Sequence, residues 1–196
     1  MIAVVDTGGA NLASIRNALA RSGKDSTVTL DRGVIADSSH VILPGVGAAG
    51  ESMERIRGAG LVDFLTGLSQ PVLGICLGMQ LLFERSAEDS VSCLGVLPGE
   101  VELLRPDADH PVPHMGWNQV VPEGDEQPLF EEISLPRHFY FVHSYAVPEG
   151  PWVTARTWHG RDIPACVRRD NFYGVQFHPE RSADDGAQVL RNFLAL

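Results

Sequence analysis

The sequence predicts an α/β fold in which a doubly wound parallel core sheet, flanked by helices, is extended by antiparallel strands. Three observations carry that expectation. In the first half, short runs that are apolar throughout, such as Ile2-Ala3-Val4-Val5 and Val41-Ile42-Leu43, read as strands buried on both faces, and they alternate with stretches of helical spacing. The run Pro71-Val72-Leu73-Gly74-Ile75 breaks at Cys76 and resumes with helical spacing through Leu82. From Glu100 onward these units give way to aromatic-rich, alternating segments, which pair as antiparallel strands.

The leading strand enters the loop Asp6-Thr7-Gly8-Gly9-Ala10, after which Leu12, Ile15 and Leu19 line one face of a helix capped by Asn11 and stopped by Gly23. The Gly8-Gly9 pair invites a phosphate-loop reading, but neither G-x-G-x-x-G nor Gly-Lys-Ser/Thr accompanies it. A second strand is expected around residues 28–30 and a third over 41–43, which runs straight into Pro44-Gly45-Val46-Gly47. Helical stretches over 51–57 and 61–68 cover the sheet ahead of the Cys76 strand. Residues 84–92 read as a polar loop. Strands follow at 101–104, 118–121, 139–147, 152–157, 163–167 and 172–177, the last of them a meander turned at His159-Gly160 and Asp170-Asn171. Ser182-Ala183-Asp184-Asp185 has the form of a capping box, opening a final helix with Val189, Leu190 and Phe193 on its inner face.

No linker or charge block divides the 196 residues, so a single domain over 1–196 is expected. Fifteen Lys and Arg against twenty-five Asp and Glu give a formal charge of −10, and no basic cluster exceeds Arg168-Arg169, which argues against nucleic acid or an anionic membrane as partner. No apolar run approaches the ~20 residues of a membrane span, and Met1 leads into a strand instead of a signal-peptide pattern; a cytoplasmic protein is expected. The three cysteines, Cys76, Cys93 and Cys166, are far apart with no C-x-x-C pair. That spacing suggests neither a zinc site nor a disulfide framework, and no cofactor or metal is expected.

Gly74-Ile75-Cys76-Leu77-Gly78 is the cysteine form of a nucleophile elbow, where small flanking residues let the chain turn tightly enough to expose one side chain above a sheet. The following helix start favours a thiolate, and the Leu77 N–H, without an intrahelical partner, can donate to an oxyanion. A buried structural cysteine at a strand end is the alternative. Open α/β sheets place their sites at the carboxyl ends of strands, so the Pro44–Gly47 loop should neighbour Cys76. Its glycines allow the Val46 peptide to rotate and complete an oxyanion hole with Leu77; a plain tight turn is the alternative.

In Val175-Gln176-Phe177-His178-Pro179-Glu180, His178 and Glu180 sit two apart in a chain that Pro179 holds extended, so both project to one side. Glu180 can fix the imidazole tautomer while the other ring nitrogen takes the Cys76 proton and returns a proton to a leaving amine.

With these motifs, and with His114-Met115-Gly116-Trp117-Asn118 and Tyr140-Phe141-Val142-His143-Ser144-Tyr145, the chain resembles the class I, triad-type glutamine amidotransferases over essentially its whole length. Within them it is most similar to the glutaminase subunits of imidazole glycerol phosphate synthases. The resemblance implies a flavodoxin-like fold and hydrolysis of L-glutamine by Cys76, His178 and Glu180 through a thioester. It implies an oxyanion hole from Val46, Gly47 and Leu77, and substrate contacts from Gly47, Gln80, Glu88, Ser144 and Tyr145. An ordinary solvated acid is the alternative for Glu88. Ammonia would pass to a (β/α)8 cyclase subunit in a heterodimer, with Asn11, Trp117, Tyr140 and Arg181 near the partner; a solvated arginine is the alternative for Arg181. Thr7 and Ala10 stand where the resemblance leads one to expect Tyr and Gly. A glutaminase for another synthase or a γ-glutamyl hydrolase would share this triad, and a non-catalytic binding module would keep Cys76 buried.

Overall fold

The computed structural model of the chain describes residues 1–9, 12–45, 47–124, 127–134 and 136–196. Its first half runs β1 (Ile2–Val5), α1 (Leu12–Arg21), β2 (Ser26–Thr29), α2 (Arg32–Ala36), β3 (His40–Leu43), α3 (Ala49–Gly58), α4 (Val62–Thr66), β4 (Val72–Ile75) and α5 (Leu77–Gln80). There follow β5 (Phe83–Ser86), β6 (Val91–Ser92), β7 (Leu97–Leu103), β8 (His114–Pro122), β9 (Arg137–His143), β10 (Tyr145–Ala146), β11 (Val153–Trp158), β12 (Asp162–Arg169), β13 (Phe172–Val175) and α6 (Ala183–Phe193).

A nine-stranded sheet takes the order β2-β1-β3-β4-β13-β12-β11-β8-β9. The stretch β2-β1-β3-β4-β13 is parallel throughout, the 2-1-3-4-5 order of flavodoxin-like sheets. The remaining strands extend it antiparallel. Because successive side chains of a strand face opposite ways, β1 splits between two cores. Ile2 and Val4 join Ile15, Leu19, Phe177, Val189 and Phe193 under α1 and α6. Ala3 and Val5 join Met53, Ile56 and Leu65 under α3 and α4. With both faces covered, the central strands β1 and β4 carry no polar side chain, and each buried Val, Ile, Leu or Phe contributes about 1.5–3 kcal/mol.

The structure departs from the expected elements in places with identifiable causes. Residues 84–92 are no loop: β5 pairs parallel with β7 and antiparallel with β6 in a four-stranded sheet, β10-β7-β5-β6. The exposed Glu84 and Arg85 mask a short strand whose Phe83 and Ser86 point inward. The helix after Cys76 stops at Gln80, because Leu81, Leu82 and Phe83, all fully buried, carry the chain into β5. The single strand expected over 139–147 is two, since β9 belongs to the large sheet and β10 to the small one, with the break at Ser144. Helix α2 is too short for a periodic signal, although Asp31 caps it by accepting from the Val34 N–H at 3.0 Å. Ser182 does not form the expected capping box: its hydroxyl donates to the His178 carbonyl at 2.7 Å and accepts from the Tyr140 N–H at 2.9 Å.

Candidate active site

Strand β4 lies between β3 and β13, so three parallel strands bring Pro44-Gly45, Cys76 and Gln176-Phe177-His178 to one edge of the sheet. Cys76 sits at φ 49°, ψ −106°, a backbone state that costs an L-residue of order 1–3 kcal/mol and persists only where its surroundings enforce it. They do: the Cys76 N–H donates to the Val175 carbonyl at 2.7 Å, and the Cys76 carbonyl accepts from the Met79 and Gln80 N–H groups at 3.1 and 3.2 Å. Absence of side chains nearby is equally required. A Cβ on Gly78 would lie 1.9 Å from the Leu43 carbonyl oxygen, and one on Gly45 2.2 Å from that of Ile75. The loop and the elbow therefore pack backbone against backbone, as the sequence leads one to expect.

His178 follows β13 with its N–H donating to the Tyr140 carbonyl at 2.9 Å, because the antiparallel extension curls back to this edge. Its Nδ1 meets Glu180 Oε1 at 2.8 Å, with both side chains shielded from solvent. The route differs from the extended chain expected: His178 is extended (φ −101°, ψ 96°), but Pro179–Arg181 is a 3₁₀ turn, which tucks Glu180 back beside the ring. Burial works against a charged imidazole here. The Cys76 sulfur, by attraction and by a hydrogen bond, and the Glu180 carboxylate outweigh it, raising His178 to about 10. Cys93 and Cys166 are free and buried as well, but burial pushes both thiols up, Cys93 to about 11.

Cys76 opens into a cleft of about 300 Å³ whose walls include Gly47, Leu77, Gln80, Glu88, Ser144 and Tyr145, so the expected substrate contacts share one space. Ser144 and Tyr145 enter it because the chain changes sheets there. Glu88 Oε2 accepts from the Ala49 N–H at 2.9 Å and Asp89 Oδ2 from the Gly50 N–H at 3.0 Å, so the acidic pair caps α3. Burial raises the Glu88 carboxyl, partly offset by the Ala49 N–H.

Expected partner-facing residues form one surface patch: Trp117 and Tyr140 meet edge to face with ring centres 6.3 Å apart, and the Arg181 guanidinium lies 4.4 Å from the Tyr140 ring centre. Trp117 is 54 % exposed, as Met115 beside it is at 62 %. Asn11 and Val46 lie outside the described residues.

The sequence reading assigned no role to Gln176, His143 or His114. Gln80 Nε2 donates to the Tyr145 carbonyl at 3.0 Å and to Gln176 Oε1 at 3.1 Å, and Gln176 Nε2 lies 3.5 Å from Cys76 Sγ. His143, in the cleft wall, has Nδ1 2.8 Å from the same Tyr145 carbonyl and Nε2 2.8 Å from His114 Nδ1. The available signal was a glutamine two residues before His178, hence on its face of the strand, within a run too apolar to solvate it. Among the described residues, no group of three or more His, Cys, Asp and Glu could hold a metal ion, and no helix is long and apolar enough to cross a membrane.

Comparison with known proteins agrees with this geometry. The solved structure "Crystal structure of glutamine amidotransferase" superposes with a TM-score of 0.76 at 21 % identity, covering 99 % of this chain and 97 % of that one. "Structure of PurLQS from Thermotoga maritima" gives 0.75 at 20 %, with the same coverage. The imidazole glycerol phosphate synthase subunit HisH 2 of Legionella pneumophila (strain Paris) is 49 % identical over 100 % of this chain and 98 % of its own length. Subunit HisH of that synthase from Escherichia coli (strain K12) is 46 % identical over 100 % and 99 %. The family model "Glutamine amidotransferase class-I" matches residues 3–196, and with an elbow cysteine, a buried His–Glu pair and a shared cleft already placed at one sheet edge, the chain belongs to the class-I glutamine amidotransferases.

Proposed function

We propose that the chain acts as the glutaminase subunit of an imidazole glycerol phosphate synthase in histidine biosynthesis, with Cys76 as nucleophile. Cys76 attacks the side-chain amide carbon of L-glutamine, and the developing oxyanion accepts from the Leu77 N–H at the start of α5 and from the Val46-Gly47 backbone. Imidazolium His178, oriented by Glu180, gives its proton to the departing ammonia. Water, deprotonated by the now neutral imidazole, hydrolyses the glutamyl thioester, releasing glutamate and expelling the sulfur as a thiolate beside the reprotonated His178. The observation that carries this reading is the buried 2.8 Å His178–Glu180 bond beside an elbow cysteine. Near-half identity to HisH subunits over full length supports the pathway.

Gln80 and the Ser144-Tyr145 backbone hold the amino-acid end of glutamine, and Glu88 offers the carboxylate oxygen not used on α3 to the substrate ammonium. The patch of Trp117, Tyr140 and Arg181 faces a (β/α)8 cyclase in a cytoplasmic heterodimer, and ammonia passes to it. Mixing the chain with that cyclase tests the assignment. Formation of a complex and a rise in glutamine hydrolysis when the cyclase carries its substrate are expected. A chain that hydrolyses glutamine equally well without the cyclase, and does not bind it, is serving another synthase or none.

A further inference from the structure

The side chain of Gln176 lies outside every role given above, is fully buried, and yet touches the reacting atom. Its orientation follows from what surrounds it. The Tyr145 carbonyl only accepts, so the Gln80 atom facing it at 3.0 Å is the amide nitrogen. The second N–H of that nitrogen points to Gln176 at 3.1 Å, where the atom it meets must be an acceptor, the Gln176 oxygen. The Gln176 NH₂ group is thereby left facing Cys76 Sγ at 3.5 Å. Nothing in this chain of bonds can flip without setting two donors or two acceptors against each other in a buried site, which costs about 1–3 kcal/mol per orphaned group. The backbone adds to the placement, since the carbonyl of the preceding Val175 accepts from the Cys76 N–H at 2.7 Å.

We infer that Gln176 is a positioning residue for the nucleophile: its side-chain amide, locked by Gln80 and through it by the Tyr145 carbonyl, donates to the Cys76 sulfur and favours the thiolate. A donor aimed at sulfur stabilises the charged form over the neutral one. Another neighbour of the sulfur is the Val142 carbonyl at 3.7 Å, an acceptor that favours the thiol, so the Gln176 amide is a side-chain donor that opposes it. The same Gln80 faces the glutamine cleft, which ties the placement of the substrate's amino-acid end to that of the thiolate. The inference rests on the glutaminase reading but is tested without glutamine.

The experiment is the pH dependence of alkylation of the full chain by iodoacetamide, in which the thiolate displaces iodide and forms a carbon–sulfur bond, with modification read by mass spectrometry. Cys76→Ser supplies the blank, Cys93 and Cys166 being buried. In Gln176→Met, of similar volume without a donor, the midpoint of Cys76 alkylation should move up by about one pH unit, tenfold less thiolate at a given pH below it. A second measurement needs no variant at this position. In a ¹⁵N-labelled sample one glutamine side-chain NH₂ pair should shift with pH at the alkylation midpoint, and stay still in Cys76→Ser. An unmoved midpoint in a folded Gln176→Met, or no glutamine NH₂ signal that tracks it, overturns the role given to Gln176 while leaving the glutaminase intact. A Cys76 inert at every pH overturns both.

Discussion

Gly45 and Cys76 touch: a Cβ added to Gly45 would lie 2.7 Å from the Cys76 Cβ, nearer than real Cβ atoms approach, and its other neighbours are the Ile75 carbonyl atoms. A backbone carbonyl cannot swing aside as a flexible side chain can. Gly45→Ala must therefore displace either the loop or the elbow, at about 1–3 kcal/mol for overpacking. Thermal unfolding should fall by about 3–10 °C, and glutamine hydrolysis by at least the ~10²-fold expected from loss of one oxyanion donor. Retention of full activity would mean that the loop does not help to build the site.

Cys76→Ser should bring glutamine hydrolysis below detection with the unfolding temperature nearly unchanged, since serine is close to cysteine in size and the elbow is enforced by backbone bonds. In the parent chain a glutamine-like electrophile should label one sulfur. Cys93 and Cys166 resist because burial holds both as thiols, Cys93 up to about 11, and only thiolates react. Peptide mapping of the labelled chain checks this, and labelling at either buried cysteine would contradict it.

How far the sequence revealed this arrangement depended on the range of each signal. Strand runs such as Ile2–Val5 were legible because burial on two faces leaves no ambiguity of composition. The elbow was legible because glycines at 74 and 78 flank a cysteine. His178 and Glu180 were paired correctly, though by a 3₁₀ turn where an extended segment was expected, since proline restricts the residue before it and says less about those after it. Ser182 satisfied the pattern of a capping box, but a local partner, the His178 carbonyl, and a remote one, the Tyr140 N–H, took its hydroxyl. Gln176 was opaque, because what orients it comes from Gln80 and Tyr145, and no local pattern encodes a contact between remote side chains. Strand β5 was hidden by its outward Glu84 and Arg85.

Glu180→Gln should change the pH profile and the rate together. The Glu180 carboxylate is one of the groups that raise His178, after the Cys76 sulfur and against the effect of burial. Replacing it by a neutral amide leaves the desolvation in place and removes part of the opposing attraction, so the imidazolium deprotonates at lower pH. The alkaline limb of kcat/KM should move down, and kcat at neutral pH should fall by about 10²-fold, the scale of a general-acid contribution. A profile whose alkaline limb stays put would show that Glu180 does not sense the charge on His178.

Trp117→Ala should weaken binding to the cyclase by about 2 kcal/mol, roughly thirtyfold in Kd, the cost of a central aromatic anchor. The ring is half exposed and braced by Tyr140, itself under Arg181, so little folding energy is at stake. Calorimetry or surface binding with the cyclase measures this, alongside glutamine turnover by the isolated chain, which should hold. Unchanged affinity would place the interface elsewhere.

Acid should destabilise the fold through His114 and His143. His143 Nδ1–H donates to the Tyr145 carbonyl, His114 Nδ1–H donates to His143 Nε2, and His114 Nε2 accepts from the Asn118 amide at 3.0 Å. Every ring nitrogen is thus committed in the neutral form, and a further proton would set N–H against N–H. Burial first, then neighbouring histidines, hold His114 down to about 3, and burial holds His143 down to about 4. Unfolded histidines take up protons near 6.5, so between that pH and about 4 the unfolded state binds protons that the folded state refuses. The stability these rings contribute is complete above about pH 6.5 and is lost as pH falls toward 4, at no more than about 1.4 kcal/mol per pH unit for each. Urea midpoints measured from pH 7 to pH 5 should decline, and less steeply in His114→Gln, which keeps a donor for His143 but cannot titrate. Equal slopes in parent and variant would mean that His114 is already charged in the folded chain or solvated enough to titrate normally.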